Sequence, residues 1–297
     1  MSRFFIATVA IVFLSAAFAG CVEQEKEPDR NTPIVKRGAT NPDVYISKLS
    51  KAVYTEILKE HVLVPSFDGK QIDNWVFRPK TEEGTKVPVF INFSPYWYNS
   101  AGDPSVGGDA FSAYMITEYG PRGYAIVLSS ARGTGHSEGC FNIGGDTEKK
   151  DAYAVVEHFG KAAWSNGNVS AGGKSYDGTT ANGVATLNPP SLKSIFPVSG
   201  ISEMYKYSFT GGIASRPDFT LGYFQSQSDL DESADNPMLI PEDAACPDLP
   251  GHAIDSQGNQ VNGDYTAYWQ ERNYSKDAQN VKAAVFFVHG FTDWNVK

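Results

Sequence analysis

Val169-Ser170-Ala171-Gly172-Gly173-Lys174-Ser175-Tyr176-Asp177-Gly178 runs from a short apolar segment into a glycine-rich turn. Beyond it, Thr179–Leu187 reads as a short helix halted by Pro189-Pro190. A strand, a sharp turn and a helix in succession are the core of a βα unit. A serine held at such a turn presents its Oγ at the sheet edge, with glycines beside it to relieve crowding. The following backbone N–H then faces an oxyanion developing on a substrate carbonyl. The usual spacing is Gly-x-Ser-x-Gly; here Asp177 takes the second glycine position and Gly178 comes one step later. Alone, the stretch also reads as a glycine-rich βα turn with an ordinary serine. The same residues nearly spell a phosphate-cradling loop from Gly167 to Ser175. That loop needs four residues between its first glycine and Gly-Lys-Ser, and five stand here, which would misdirect the N–H groups that bind phosphate.

Working outward, Thr55–Val64 and Gln71–Arg78 flank Ser66-Phe67-Asp68-Gly69 as an antiparallel hairpin. Val87–Phe93 and Tyr124–Ser129 are compact apolar runs, candidate buried strands, with a helix expected over Ala110–Tyr119 between them. Asp146 is placed to cap a helix whose Ala152, Val155, Val156, Phe159 and Ala163 share one face. Leu192–Val198 and the apolar Ala283–Val288 complete the strands. The alternation predicts an α/β domain over residues 44–297, a mostly parallel sheet with helices on both faces. Ile201–Asn280 breaks the rhythm, being rich in Tyr, Phe, Asp and Ser. It reads as a cap insertion, about 201–280, over the sheet's carboxyl edge, where α/β folds bind ligands.

At the other end, Arg3 precedes Phe4–Ala19, apolar except for Thr8 and Ser15. The run is short for a membrane span, which needs about 20 residues, and fits a secretory signal. It closes on Ala17-Phe18-Ala19-Gly20-Cys21, which resembles the lipobox of prokaryotic lipoproteins. Residues 1–20 are therefore read as a signal peptide, Cys21 as the lipid-modified residue and 21–43 as a charged, proline-bearing tether. This reading places the protein outside the cytoplasm, attached to the membrane by its lipid; the alternative is an ordinary signal peptide with an incidental cysteine. Cys140 and Cys246 remain, and an oxidising compartment would let them pair. No Cys/His cluster has metal-ligand spacing, so neither a metal nor another cofactor is expected. Asp229, Asp231, Glu232 and Asp235 fail calcium-loop spacing and read as a solvated face. The chain has 41% hydrophobic residues, which argues against disorder, and 34 acidic against 25 basic residues, a net charge of −9. With no Lys/Arg-rich block, that balance argues against nucleic acid as a partner.

Four segments together resemble the X-prolyl dipeptidyl peptidase family, which shares its α/β-hydrolase core with cocaine-esterase-like acyl hydrolases. The first is Trp164-Ser165-Asn166-Gly167-Asn168-Val169 with Gly173-Lys174-Ser175-Tyr176 and Gly178; in that family a tyrosine follows the serine and the glycine is displaced as it is here. The others are Pro95-Tyr96, then Arg132-Gly133-Thr134-Gly135-His136-Ser137-Glu138-Gly139, then Val288-His289-Gly290-Phe291-Thr292-Asp293-Trp294-Asn295-Val296-Lys297. The resemblance runs from about Ile57 to the last residue. It implies that Ser175 attacks a carbonyl to form an acyl-enzyme, with the Tyr176 N–H and the Tyr96 hydroxyl stabilising the oxyanion. Asp293 would orient a histidine base. The α/β-hydrolase order is Ser, Asp, His, yet His61, His136, His158, His252 and His289 all precede Asp293. His289, which reads as a packing or hydrogen-bonding residue at a strand end, and His136, in a glycine-rich loop, are the alternatives within the chain; the base is expected past Lys297, in a chain incomplete at its C-terminus. Arg132 reads as bracing its loop through a buried ion pair. The activity implied is release of X-Pro dipeptides from peptide amino ends. Hydrolysis of acyl esters on the same core, or a non-catalytic lipid-anchored binding protein, are the alternatives.

Overall fold

The computed structural model describes residues 50–96, 110–210, 213–214, 264–293 and 296. The chain divides into Met1–Ser50 and Lys51–Lys297, and every element named here belongs to the second unit. The signal segment, Cys21, the tether, Asp229 to Asp235, Cys246 and His252 lie outside the described residues.

Strands β1 (Ile57–Pro65) and β2 (Gln71–Pro79) form the expected hairpin, with Ile57 opposite Pro79 and Pro65 opposite Gln71. They continue into β3 (Val87–Ser94), β4 (Ala125–Ser130), β5 (Ser165–Lys174) and β6 (Leu192–Val198). A separate ribbon pairs β7 (Phe209–Thr210) with β8 (Ile213–Ala214), and β9 (Ala284–Val285) closes the main sheet, ordered β1-β2-β4-β3-β5-β6-β9. β2 meets β4 antiparallel, and from β4 to β9 every pairing is parallel. The period of two in these strands splits the apolar residues between two cores. Val89, Ile91 and Val127 face α2 (Asp146–Gly160) and α3 (Tyr176–Thr186), together with Val155, Phe159 and Val184. Phe90, Ile126 and Leu128 face the other way, onto Met115 of the π-helical turn Met115–Tyr119 that extends α1 (Ala110–Tyr114). Burying each such side chain contributes about 1.5–3 kcal/mol.

Four local expectations are corrected. Asp146 does not cap α2: Gly145 stands at the cap without a side-chain bond, and the Asp146 N–H donates to the Glu271 carboxylate at the end of α5 (Ala267–Glu271). The cap thus comes from a residue 125 positions away, which no local pattern reveals. α2 ends at Gly160, so Ala163 falls outside it and is exposed. Residues 110–119 are α-helical only to Tyr114. Within 283–288 only Ala284–Val285 form ladder pairs, and Val288 adds one bridge to Val198. Among the described residues β9 lies last in the sheet, and Val285, Phe286 and Phe287 are exposed there. Of the region 201–280, both ends are described, namely α4 (Met204–Ser208), the β7–β8 ribbon, α5 and a 3-10 segment Tyr274–Asn280. Residues 215–263 lie outside the described residues. Gly167 to Lys174 lie within one strand, so no phosphate loop forms.

Candidate active site

From β3 the chain steps to β4 on one side, then crosses back to β5 on the other. Connections that diverge from adjacent parallel strands open a crevice at their carboxyl ends. Tyr96 lies two residues past β3 and Ser175 directly past β5, so both sit at that crevice.

Ser175 has φ +60° and ψ −119°, a conformation non-glycine residues rarely adopt. Its N–H donates to Val198 O at 2.8 Å, and its carbonyl accepts the Thr179 N–H at 3.0 Å and the Thr179 hydroxyl at 3.0 Å. The displaced glycine has a steric reason. A Cβ on Gly178 would stand 2.9 Å from Gly173 O and 3.1 Å from Gly200 Cα, backbone atoms with no room to give. A Cβ on Gly173 would collide with that of Asp177. The first turn of α3 therefore lies tight against β5 and the start of the β6 connection. Its N-terminal N–H groups open at the sheet edge.

Tyr176 is fully buried. Its hydroxyl donates to Glu148 Oε2 at 2.8 Å, and its ring centroid lies 5.9 Å from Phe141 and 6.3 Å from Tyr96. Burial raises its pKa well above the ordinary phenol value, and the Glu148 charge adds to this. Burial likewise pushes the Glu148 carboxyl up to about 7, against the N–H of Gly144 that donates to it at 2.8 Å. The loop carrying Gly144 is itself pinned. Arg272 donates to Ile143 O at 3.0 Å and Asn142 O at 2.7 Å, and the Tyr274 hydroxyl donates to Gly144 O at 2.7 Å.

Ser175, Tyr176 and Tyr96 thus come together, whereas Asp293 stands further along the edge. It follows β9, which is separated from β5 by β6. Its Oδ1 accepts the Val296 N–H at 3.0 Å, and His289 Nε2 lies 3.8 Å from its Oδ2 while donating to Val296 O at 2.9 Å. His289 is accordingly tied to the segment after the strand. His136 lies on the opposite side, beyond β4: its N–H approaches Asp73 Oδ2 at 3.4 Å, and its ring stands 6.1 Å from His61, which bonds the same carboxylate.

Arg132 braces its loop as expected. Buried, it donates to Asp151 at 2.7 and 2.6 Å and to Asp68 at 2.7 and 3.1 Å, joining the loop to α2 and to the β1–β2 turn. Burial alone would lower its pKa, but these bonds outweigh burial and raise it. Cys140, in the same connection, is disulfide-bonded, and its partner lies outside the described residues. Among the described residues no group of three His, Cys, Asp or Glu side chains could hold a metal ion.

Glu148 was not singled out by the sequence reading. The signal was present: one turn before Ala152, it extends the stripe of Ala152, Val155 and Phe159, and a charge at a core position marks a site worth testing.

A serine in a strained strand-to-helix turn, at the carboxyl edge of a mostly parallel sheet with helices on both faces, defines an α/β-hydrolase. The chain belongs to the X-Pro dipeptidyl-peptidase family (S15 family), whose model matches residues 68–297. A Bacillus cereus relative is 34% identical over 304 residues, which cover 92% of this chain and 51% of that protein. The Xaa-Pro dipeptidyl-peptidase of Streptococcus pneumoniae is 35% identical over 291 residues, covering 82% of this chain and 38% of that one. The crystal structure of a CocE/NonD family hydrolase from Staphylococcus aureus superposes with a TM-score of 0.56 at 25% identity, covering 77% of this chain and 40% of that one. The chain spans about half the length of the Bacillus relatives it matches.

Proposed function

We propose that the protein is a serine peptidase that releases Xaa-Pro dipeptides from the free amino end of peptides. The observation that carries the reading is the strained backbone of Ser175, set between β5 and α3 beside Tyr176 and Tyr96. Ser175 Oγ adds to the prolyl carbonyl and gives its proton to a histidine base. The Tyr176 N–H and Tyr96 hydroxyl hold the resulting oxyanion. Collapse expels the shortened peptide, whose new amino group takes the proton back, and water then hydrolyses the acyl-enzyme through the same base. Asp293 orients that base and stabilises its imidazolium. The proline preference rests on the family, since no residue described here selects proline.

Acyl-ester hydrolysis on the same core is the second reading, favoured by the likeness to the CocE/NonD hydrolase. X-Pro-anilides assayed beside short acyl esters on the full-length protein separate the two. Turnover of neither points to a binding protein. Lipid modification at Cys21, which would hold the protein at the outer face of the membrane, is supported by the apolar run and small residues before it. A Cys140–Cys246 disulfide is the pairing that leaves Cys21 free for the lipid.

A further inference from the structure

We propose that Glu148 is a positioning residue for the oxyanion side of this site, acting through the Tyr176 hydroxyl. The inference rests on the serine-hydrolase reading above and adds a residue to it.

Glu148 is 2% exposed, in the first turn of α2, in line with the apolar Ala152, Val155 and Phe159. A carboxylate at such a position is costly to bury and is retained where it orders something else. Its Oε2 takes two hydrogen bonds of 2.8 Å, from the Gly144 N–H and the Tyr176 hydroxyl. Its Oε1 has no hydrogen-bond partner among the described residues. The bonds therefore all converge on the oxygen that holds Tyr176. That tyrosine is the residue whose N–H follows the nucleophile, and its ring meets Tyr96, the other oxyanion donor, edge-on. Anchoring the far end of the ring to α2 fixes the first residue of α3 and limits where the Tyr96 ring can go. The anchor is held in turn, because Arg272 and Tyr274 pin the loop that supplies Gly144.

The charged and titratable groups facing Glu148 are Asp151 on its own helix, Tyr176 on α3, and Arg272 and Tyr274 after α5. Burial is the largest influence and pushes the carboxyl up to about 7; Asp151 adds to this and Arg272 opposes it. Below that pH Glu148 is neutral, and the bond from Tyr176 loses its charge assistance.

The test compares Glu148→Gln, Tyr176→Phe and the double variant with wild-type full-length protein. Turnover of an X-Pro-anilide and the rate of fluorophosphonate labelling are measured across the pH range around neutrality. Each single change is expected to lower kcat and the labelling rate about tenfold, with KM within about twofold. The double variant should be no worse than the poorer single one, because both changes break the same bond. The acid limb of the wild-type profile should fall more steeply than that of Glu148→Gln, which keeps only the limb of the base. Should Glu148→Gln fail to fold, Tyr176→Phe, which keeps the ring, decides alone. Wild-type kcat in either folded single variant, or losses that multiply in the double, overturns the inference while the hydrolase reading stands. A wild-type protein that neither turns over nor is labelled on Ser175 overturns both.

Discussion

Ser175 sits in a backbone conformation that costs a non-glycine residue about 1–3 kcal/mol, and it is held there by Val198 on one side and Thr179 on the other. The strain is tolerated because Gly173, Gly178 and Gly200 let three backbone segments approach closely. Gly178→Ala should therefore destabilise the protein by about 1–3 kcal/mol, the range for overpacking, and slow labelling of Ser175. Urea denaturation beside a labelling time course checks this, and an unchanged midpoint with unchanged labelling contradicts it. Tyr96→Phe should fold normally and lose about 10²–10³ in kcat, as expected for one oxyanion donor; near-normal turnover removes Tyr96 from the site. Much of this site was legible in the sequence, because a nucleophile turn needs its residues adjacent in the chain. The displaced glycine was visible, but its reason was not, since Gly200 lies 22 residues beyond Gly178. Glu148 was passed over because an acidic residue in a helix's first turn ordinarily complements the helix dipole.

Among the elements, the Arg132 network carries the most concentrated polar contact. Asp151 has its pKa raised because burial outweighs Arg132, whereas Asp68, more exposed, has its pKa lowered by the Arg132 bond. Removing the guanidinium leaves Asp151 buried without its cation, with, among the described residues, only the Ser66 hydroxyl still donating to it. Arg132→Met should cost about 3–5 kcal/mol, the range for breaking one partner of a buried pair, with the β1–β2 turn loosened from α2. Chemical denaturation measures the loss, and proteolysis of the turn locates it; a loss within 0.5 kcal/mol, the ordinary surface range, contradicts the role. The positions of β1 to β4 and β6 were readable to within two residues, because short apolar runs bounded by turn residues have few other readings, whereas β5 begins at Ser165, ahead of the apolar run at Val169, and β9 is shorter than its run. The start of α2 was misread because its cap, Glu271, is remote in sequence. Where the chain orders its strands as β4-β3-β5, only tertiary structure brings Tyr96 beside Tyr176.

For the whole molecule, Glu148 links stability to pH. Its folded pKa of about 7 lies above the ordinary 4.5, so between these values the folded state binds the proton more tightly than the unfolded chain. This group's contribution to stability consequently falls as pH rises from about 4.5 to about 7 and is constant above that window. Calorimetric Tm values across that range should decline less steeply for Glu148→Gln than for wild type, and identical slopes contradict the assignment. At the amino end, mass spectrometry of the membrane fraction should find a mature chain beginning at lipid-modified Cys21; an unmodified chain beginning elsewhere contradicts it. The central claim, that Ser175 is the nucleophile of a family S15 hydrolase, is tested most directly by a fluorophosphonate. Wild-type and Ser175→Ala full-length proteins are treated alike, and the adduct is located by peptide mass spectrometry beside an X-Pro-anilide assay. The expected result is one adduct, on Ser175, absent from the alanine variant together with its turnover. An adduct on another residue, or turnover retained by Ser175→Ala, would contradict the account.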